Sequence, residues 1–384
     1  MNVLTQPCEF CRQVSGTAPD GSNILSVLLK LTYTINEDEH LHRAPLQLQL
    51  VADVRADSQN PKLLEADTDL YPFKVATDVV VIGHAYGYES PRRFVVVVRV
   101  GAAKKSIVVV GDRRCTLSSN GQIVISDPTP VQIMPLRYDR AYGGRDTAAS
   151  AKYGNPYDEL RKYLGEPIKQ LDLNVYDYPR NLAGRGFIVE TTREALEQLQ
   201  LPNLEDPQDL LTVERLAAGS IGGWHRMPIP QGLAWVDPSW FPRIAYFGAV
   251  PDHDPFDGPI AEVLRGYAPA DVLHVKPVVE KFDYRCANGA SLGLQLPYLS
   301  GDEVIELENL HPMIPQLKFR LPGVHPKLWT DGRKGKLNET KAVIHTVLIE
   351  PDLNRLSIIW RGAAPALRPY MDDELAAMPL RVEF

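Results

Sequence analysis

Short apolar runs separated by turn formers dominate the first third of the chain. Residues 24–35 are rich in Leu, Val, Thr and Tyr. Residues 46–50 read Leu-Gln-Leu-Gln-Leu, a period of two that fits a strand with one buried face. Residues 78–82, 94–100 and 107–110 are β-branched runs of buried-strand length. The link at 101–104 is short enough for a hairpin. A further strand is expected at 122–125, after the turn at Asn120-Gly121. These elements predict a β meander over residues 20–135, forming one layer of a sandwich or open barrel.

The pattern changes from residue 136 to 300, where Gly, Pro, Tyr, Trp and Asp recur and strand patterns are few. Short helices are expected at 157–164, 192–199, 210–217 and 238–246, with Thr191 and Thr192 as caps for the second. Trp224, Trp235, Trp240, Phe241, Tyr246 and Phe247 argue for packed loops rather than disorder, which lacks such residues. They either fill a core of this segment or stand exposed as a contact surface. Strands return at 303–310, 316–321, 342–349 and 355–360, with Pro351-Asp352-Leu353-Asn354 as the last turn. The expectation is one mainly β (α+β) unit over residues 1–384, with strands 301–365 joining the N-terminal ones in adjoining sheets.

Composition narrows the function more than the fold. Thirty-two prolines in 384 residues agree with short elements and shaped loops. At 44% hydrophobic and 23% charged, the chain has the make-up of a globular protein. The formal charge, 41 minus 48 or −7, disfavours nucleic acid as the main ligand. No run approaches the ~18 apolar residues of a membrane span, and the N-terminus lacks signal-peptide features. The reading is a soluble, cytoplasmic protein. Four cysteines are too sparse for a disulfide framework. Cys8-Glu-Phe-Cys11 lacks the second ligand pair of a zinc knuckle, so two reduced thiols are expected.

Candidate chemistry is thin. His84, Asp112 and Cys115 follow strand-like runs and would suggest a Cys-His hydrolase if they met at one sheet edge. Asp252-His253-Asp254 between two prolines offers metal donors or a rigid turn. Gly143-Gly144 and Gly184-Arg185-Gly186 match no nucleotide-binding fingerprint. Arg137, Arg140, Arg145, Arg180 and Arg185 either bind an anion or tie irregular loops to carboxylates and carbonyls. No HExxH is present. No catalytic residue, cofactor or metal is assigned.

Several blocks, in order, resemble a bacterial family, the domain of unknown function 2169. Tyr71-Pro72-Phe73-Lys74 and Thr77 to Ala85 are similar to its "PFKP-TDV-V-GHA" block, and Gly111-Asp112-Arg113 to its "GDR". Met134 to Gly144 resembles "MPLRYERAFGG", Asn181 to Phe187 "NPVGRGF", and Leu201 to Pro207 "LPNIEDP". Leu299 to Glu303, Leu307 to Pro312 and Phe319 to Gly323 match "L-GDE", "L-NLHP" and "FRLPG". Leu182-Ala183 replaces the usual Pro-Val, and residues 226–287 diverge. The resemblance implies an adaptor or chaperone of type VI secretion that is not an enzyme. It would bind a toxin effector, often one carrying a PAAR domain, in the cytoplasm and help load it onto the VgrG spike. Nucleic acid and membrane are not implied as partners. Phe73, Lys74, Asp78, Gly83, His84, Gly111, Asp112, Arg113, Arg140, Tyr142, Gly143 and Gly144 are the signature residues, structural or partner-binding. The competing readings are a hydrolase or metal enzyme using His84 with Cys115 or His253, and a structural component of the spike.

Overall fold

The computed structural model describes residues 2–36, 40–158, 174–221, 223–247, 283–332 and 335–384. Strand Asn23–Ile35 is buried on both faces, because it is central in its sheet and covered on each side. Leu25, Val27, Leu29, Leu31 and Tyr33 lie on one face, and Ser26, Leu28, Lys30 and Thr32 on the other. The sheet around it runs Gln295–Leu296, Thr77–Val81, Ala342–Glu350, Arg355–Pro365, Asn23–Ile35, Cys11–Thr17, with Leu41–Arg43 beside Asn23–Ile35. Its neighbours are antiparallel except Thr77–Val81 and Ala342–Glu350, which are parallel. N-terminal and C-terminal strands thus interleave within one sheet.

A five-stranded antiparallel sheet runs Leu204–Glu205, Ala103–Val110, Arg93–Val100, Val304–Glu308, Gln316–Arg320. Val79, Val81 and Ile349 from the first sheet share one core with Val96, Val98, Ile107, Ile305 and Phe319 from this one. The architecture is mainly β, two sheets packed over a common apolar layer. A four-stranded sheet, Val3–Leu4, Leu380–Glu383, Lys327–Thr330 and Asn338–Thr340, adds Leu328 and Val382 to that layer. A second cluster forms from the middle segment: Tyr142, Tyr178, Phe187, Leu196, Leu211 and Leu216.

Four expectations change. The N-terminal strands do not form one meander: Asn23–Ile35 and Thr77–Val81 belong to one sheet, Arg93–Val100 and Ala103–Val110 to another, and Cys115–Leu117 with Ile123–Ile125 to a separate hairpin. Residues 46–50 are not a strand. There the Gln47 side chain takes the place of a backbone partner, accepting from the Thr32 amide at 2.9 Å and donating to the Thr32 carbonyl at 3.1 Å. The helix at 238–246 is instead a turn followed by a 3-10 helix at Arg243–Phe247, since Pro238 and Pro242 break a longer one. The helix expected at 210–217 is shortened to Val213–Ala217 with Thr212 as its cap. Helix Arg193–Gln198 starts at Thr192 as read, and residues 159–164 of the remaining candidate lie outside the described residues.

Candidate functional site

The signature residues tie separate segments of the chain together. Lys74 and Asp78 form a buried pair at 2.6 Å, with side chains 1% and 0% exposed. Lys74 also donates to the Thr346 hydroxyl at 3.2 Å, and its ammonium lies 5.7 Å from the ring centres of Tyr71 and Trp235. Asp78 accepts from Asn288 Nδ2 at 3.1 Å and from the Gly289 and Ala290 amides at 3.0 and 3.2 Å. Phe73 packs edge-on against Tyr284, and the Arg361 guanidinium lies 4.7 Å over its ring. Beside this group, buried Asp67 holds Arg243 at 2.6 Å, and Arg243 donates to the carbonyls of Cys286 and Val236. Residues 67–78 and 283–290 are locked together by charge-assisted hydrogen bonds.

The Gly111-Asp112-Arg113 turn is bound to residues 202–205 in the same way. Arg113 donates to the Pro202 carbonyl and pairs with Glu205, while Asn203 Nδ2 reaches the Val110 carbonyl and the Asp112 carboxylate. A methyl group on Gly111 would lie 1.7 Å from the Thr129 carbonyl oxygen, part of the backbone that runs alongside. Gly111→Ala is therefore expected to lose about 2 kcal/mol or more of stability, from overpacking against atoms that cannot rotate away. Urea denaturation checks this, and an unchanged midpoint would contradict the contact.

Tyr142-Gly143-Gly144 meets Asn181 to Gly186 in a short parallel bridge. Asn181 Nδ2 donates to the carbonyls of Tyr138 and Tyr142. A side chain on Gly143 or Gly144, both at positive φ, would strike the Asn181 or Gly184 carbonyl. Tyr142 stacks edge-on against Tyr178. The Arg140 carbonyl accepts from the Asn203 amide at 2.7 Å, and its Nε is buried without a partner among the described residues. The other arginines tie loops: Arg145 grips Asp177 with two bonds, Arg137 reaches Asp57 and Asp139, Arg180 the Met227 carbonyl and Arg185 the Asp139 carbonyl.

His84, Asp112 and Cys115 have different surroundings. His84 Nδ1 is 2.6 Å from Asp352, Asp112 is held by Asn203, and Cys115 is buried in the second cluster, where burial pushes its thiol up. Cys8 and Cys11 are free thiols joined by mutual backbone hydrogen bonds. Asp252, His253 and Asp254 lie outside the described residues. The aromatics after residue 224 turn inward: Trp235, Trp240 and Tyr246 are buried, and Trp240 packs edge-on against Tyr138. Among the described side chains of that stretch, a contact surface is not what they build.

The bacterial family described as "Uncharacterized protein conserved in bacteria (DUF2169)" matches residues 20–361. The chain belongs to this family. No curated protein and no solved structure matches it. No described helix is long and apolar enough to cross a membrane.

Two DUF2169 blocks also shape the surface. The turn Pro351–Leu353, closed by Asn354 in the left-handed region, is held from two sides. His84 and Tyr86 bind the Asp352 carboxylate at 2.6 and 2.9 Å. Burial acts to raise the Asp352 carboxyl, but these hydrogen bonds hold it below the usual carboxylate range. On the other side, His311 Nδ1 accepts from the amides of Met313 and Ile314, so Nε2 carries the proton it shares with Asn354 at 2.9 Å. Tyr88 donates to the His311 carbonyl. This framework displays three apolar side chains: Met313 is 80% exposed, Leu353 59% and Tyr88 44%. A sequence signal was present for Met313, which adjoins the Leu307 to Pro312 block, but its exposure could not be read from it.

Proposed function

We propose that this protein is a cytoplasmic adaptor for a type VI secretion effector. It binds the toxin stoichiometrically and helps place it on the VgrG spike, PAAR-bearing toxins included. Met313, Leu353 and Tyr88 form part of the contact face, and the DUF2169 signature residues keep that face in shape. The observation that carries the reading is the division of labour: Lys74, Asp78, Arg113 and the glycine pair are spent on holding blocks together, while the His84 and His311 framework presents apolar groups outward. A pre-organised apolar face of this kind lowers the ordering cost of binding a protein.

The test is native mass spectrometry of the tagged protein recovered from secretion-active cells. The wild type is expected to carry a second polypeptide, encoded near secretion genes. Met313→Asp with Leu353→Asp is expected to lose at least about tenfold in affinity, the equivalent of ~1.4 kcal/mol, with its melting temperature unchanged. Recovery of the wild type with no bound protein would contradict the adaptor reading. Equal retention by the double variant would remove the face from it.

A further inference from the structure

Strand Gln316–Arg320 ends the five-stranded sheet, with a described neighbour only on the Val304–Glu308 side. The hydrogen bonds Asn309 to Pro315 and Leu321 to Glu303 fix the phase of that ladder. In an antiparallel pair the bonded residues alternate, so Leu317 and Phe319 turn their backbone groups toward Val304–Glu308. The N–H and C=O groups of Gln316, Lys318 and Arg320 therefore point away from the sheet. Among the described residues, no backbone hydrogen bond reaches them.

Other sheet ends differ. Strand Cys11–Thr17, seven residues long, is crossed by the C-terminal segment, where Gln13 donates to the Met378 carbonyl and Ser15 accepts from the Tyr370 amide. The remaining ends of the three larger sheets are strands of two or three residues. Gln316–Arg320, with five residues and an exposed–buried alternation, is the longest described edge without such a cover. Long uncovered edges are templates for another strand.

Its charge selects the strand. Lys318 and Arg320 project from the outer face of a chain whose formal charge is −7. Across the same face the register aligns Lys104, Arg99, Glu306 and Lys318, three cations around one carboxylate. The Lys318–Glu306 pair, at 3.1 Å, is half exposed and exchanges partners at little cost. Met313, on the contact face, stands three residues before the strand.

We infer that Gln316–Arg320 accepts an extended segment of the partner protein as an added strand, with acidic side chains at alternate positions facing Lys318 and Arg320. This rests on the adaptor reading and deepens it, but its test needs no effector.

The probe is a capped peptide of about seven residues alternating valine and glutamate, a usual strand length. Amide hydrogen exchange is followed residue by residue on the full chain. Without peptide, the amides of Gln316, Lys318 and Arg320 should exchange at least about tenfold faster than those of Leu317 and Phe319. Saturating peptide should slow the three edge amides about tenfold. Lys318→Pro removes one donor on the outward side, where an edge strand tolerates proline, and should abolish that protection with the melting temperature unchanged. A peptide N-methylated at alternate residues keeps the charge but cannot pair, and should not protect.

Edge amides already slow in the free protein, no protection by the peptide, or equal binding of the methylated peptide would each overturn strand addition. Any of these would leave the adaptor reading standing, whereas wild type recovered without a bound protein would remove that reading alone.

Discussion

Asp78→Ala is expected to cost about 3–5 kcal/mol, because it leaves Lys74 charged in a site with almost no access to water. The hydroxyl of Thr346 and the rings of Tyr71 and Trp235 remain near the ammonium, but none supplies a formal charge. The Gly289 and Ala290 amides lose their acceptor in the same substitution. Lys74→Met should cost less, about 1–3 kcal/mol, since Asp78 keeps the donors from Asn288, Gly289 and Ala290. The order of the two effects is the informative part. Urea unfolding of both variants reads it directly, and a Lys74→Met cost equal to or above that of Asp78→Ala would show that the carboxylate is not the hub.

His345 gives the second large effect. It sits at the irregularity in strand Ala342–Glu350 where the pairing register shifts, is fully buried, and neither ring nitrogen has a hydrogen-bond partner among the described residues. Burial, with Lys74 and Arg361 nearby, holds its imidazole well below the usual histidine range. The folded state therefore keeps this ring neutral, while the unfolded chain protonates it near pH 6.5. Below that pH the unfolded state binds the extra proton, so stability falls as pH falls. Between pH 7 and pH 5 the loss from this one group is about 2 kcal/mol. His345→Leu should keep the shape, remove the titrating group and flatten that part of the curve. Parallel denaturation at the two pH values measures it; an acid loss as steep in the variant as in the wild type would contradict the assignment.

The sequence revealed the long strands and hid their partners. Continuous runs such as those in Asn23–Ile35 and Arg93–Val100 are strands because so many β-branched and aliphatic side chains need burial on a pleated surface. The same runs carry no information on which sheet they join, so an apparent meander resolved into two sheets and a hairpin. Residues 46–50 had the right period, but a glutamine side chain can imitate a backbone partner, and periodicity does not register that. The residues that matter to the surface were half legible. His84 stood out by type, yet its partner Asp352 lies 268 positions away, beyond the reach of any local pattern. The aromatics from Trp224 onward fitted either a core or a contact surface, and the rings packed beside Tyr138 and Tyr178 take the first course, since they lose more water by turning inward. Exposed Met313 and Leu353 could not be told from core residues by type, since exposure is set by the turns that carry them.

Analytical ultracentrifugation of the purified protein mixed with the polypeptide it retains in cells tests the account most directly. Binding should saturate at a fixed molar ratio, with both chains intact afterwards and the boundary shifted to a heavier species. A mixture that sediments as two separate components, or in which the retained polypeptide is chemically altered over many cycles by a substoichiometric amount of this protein, would contradict it.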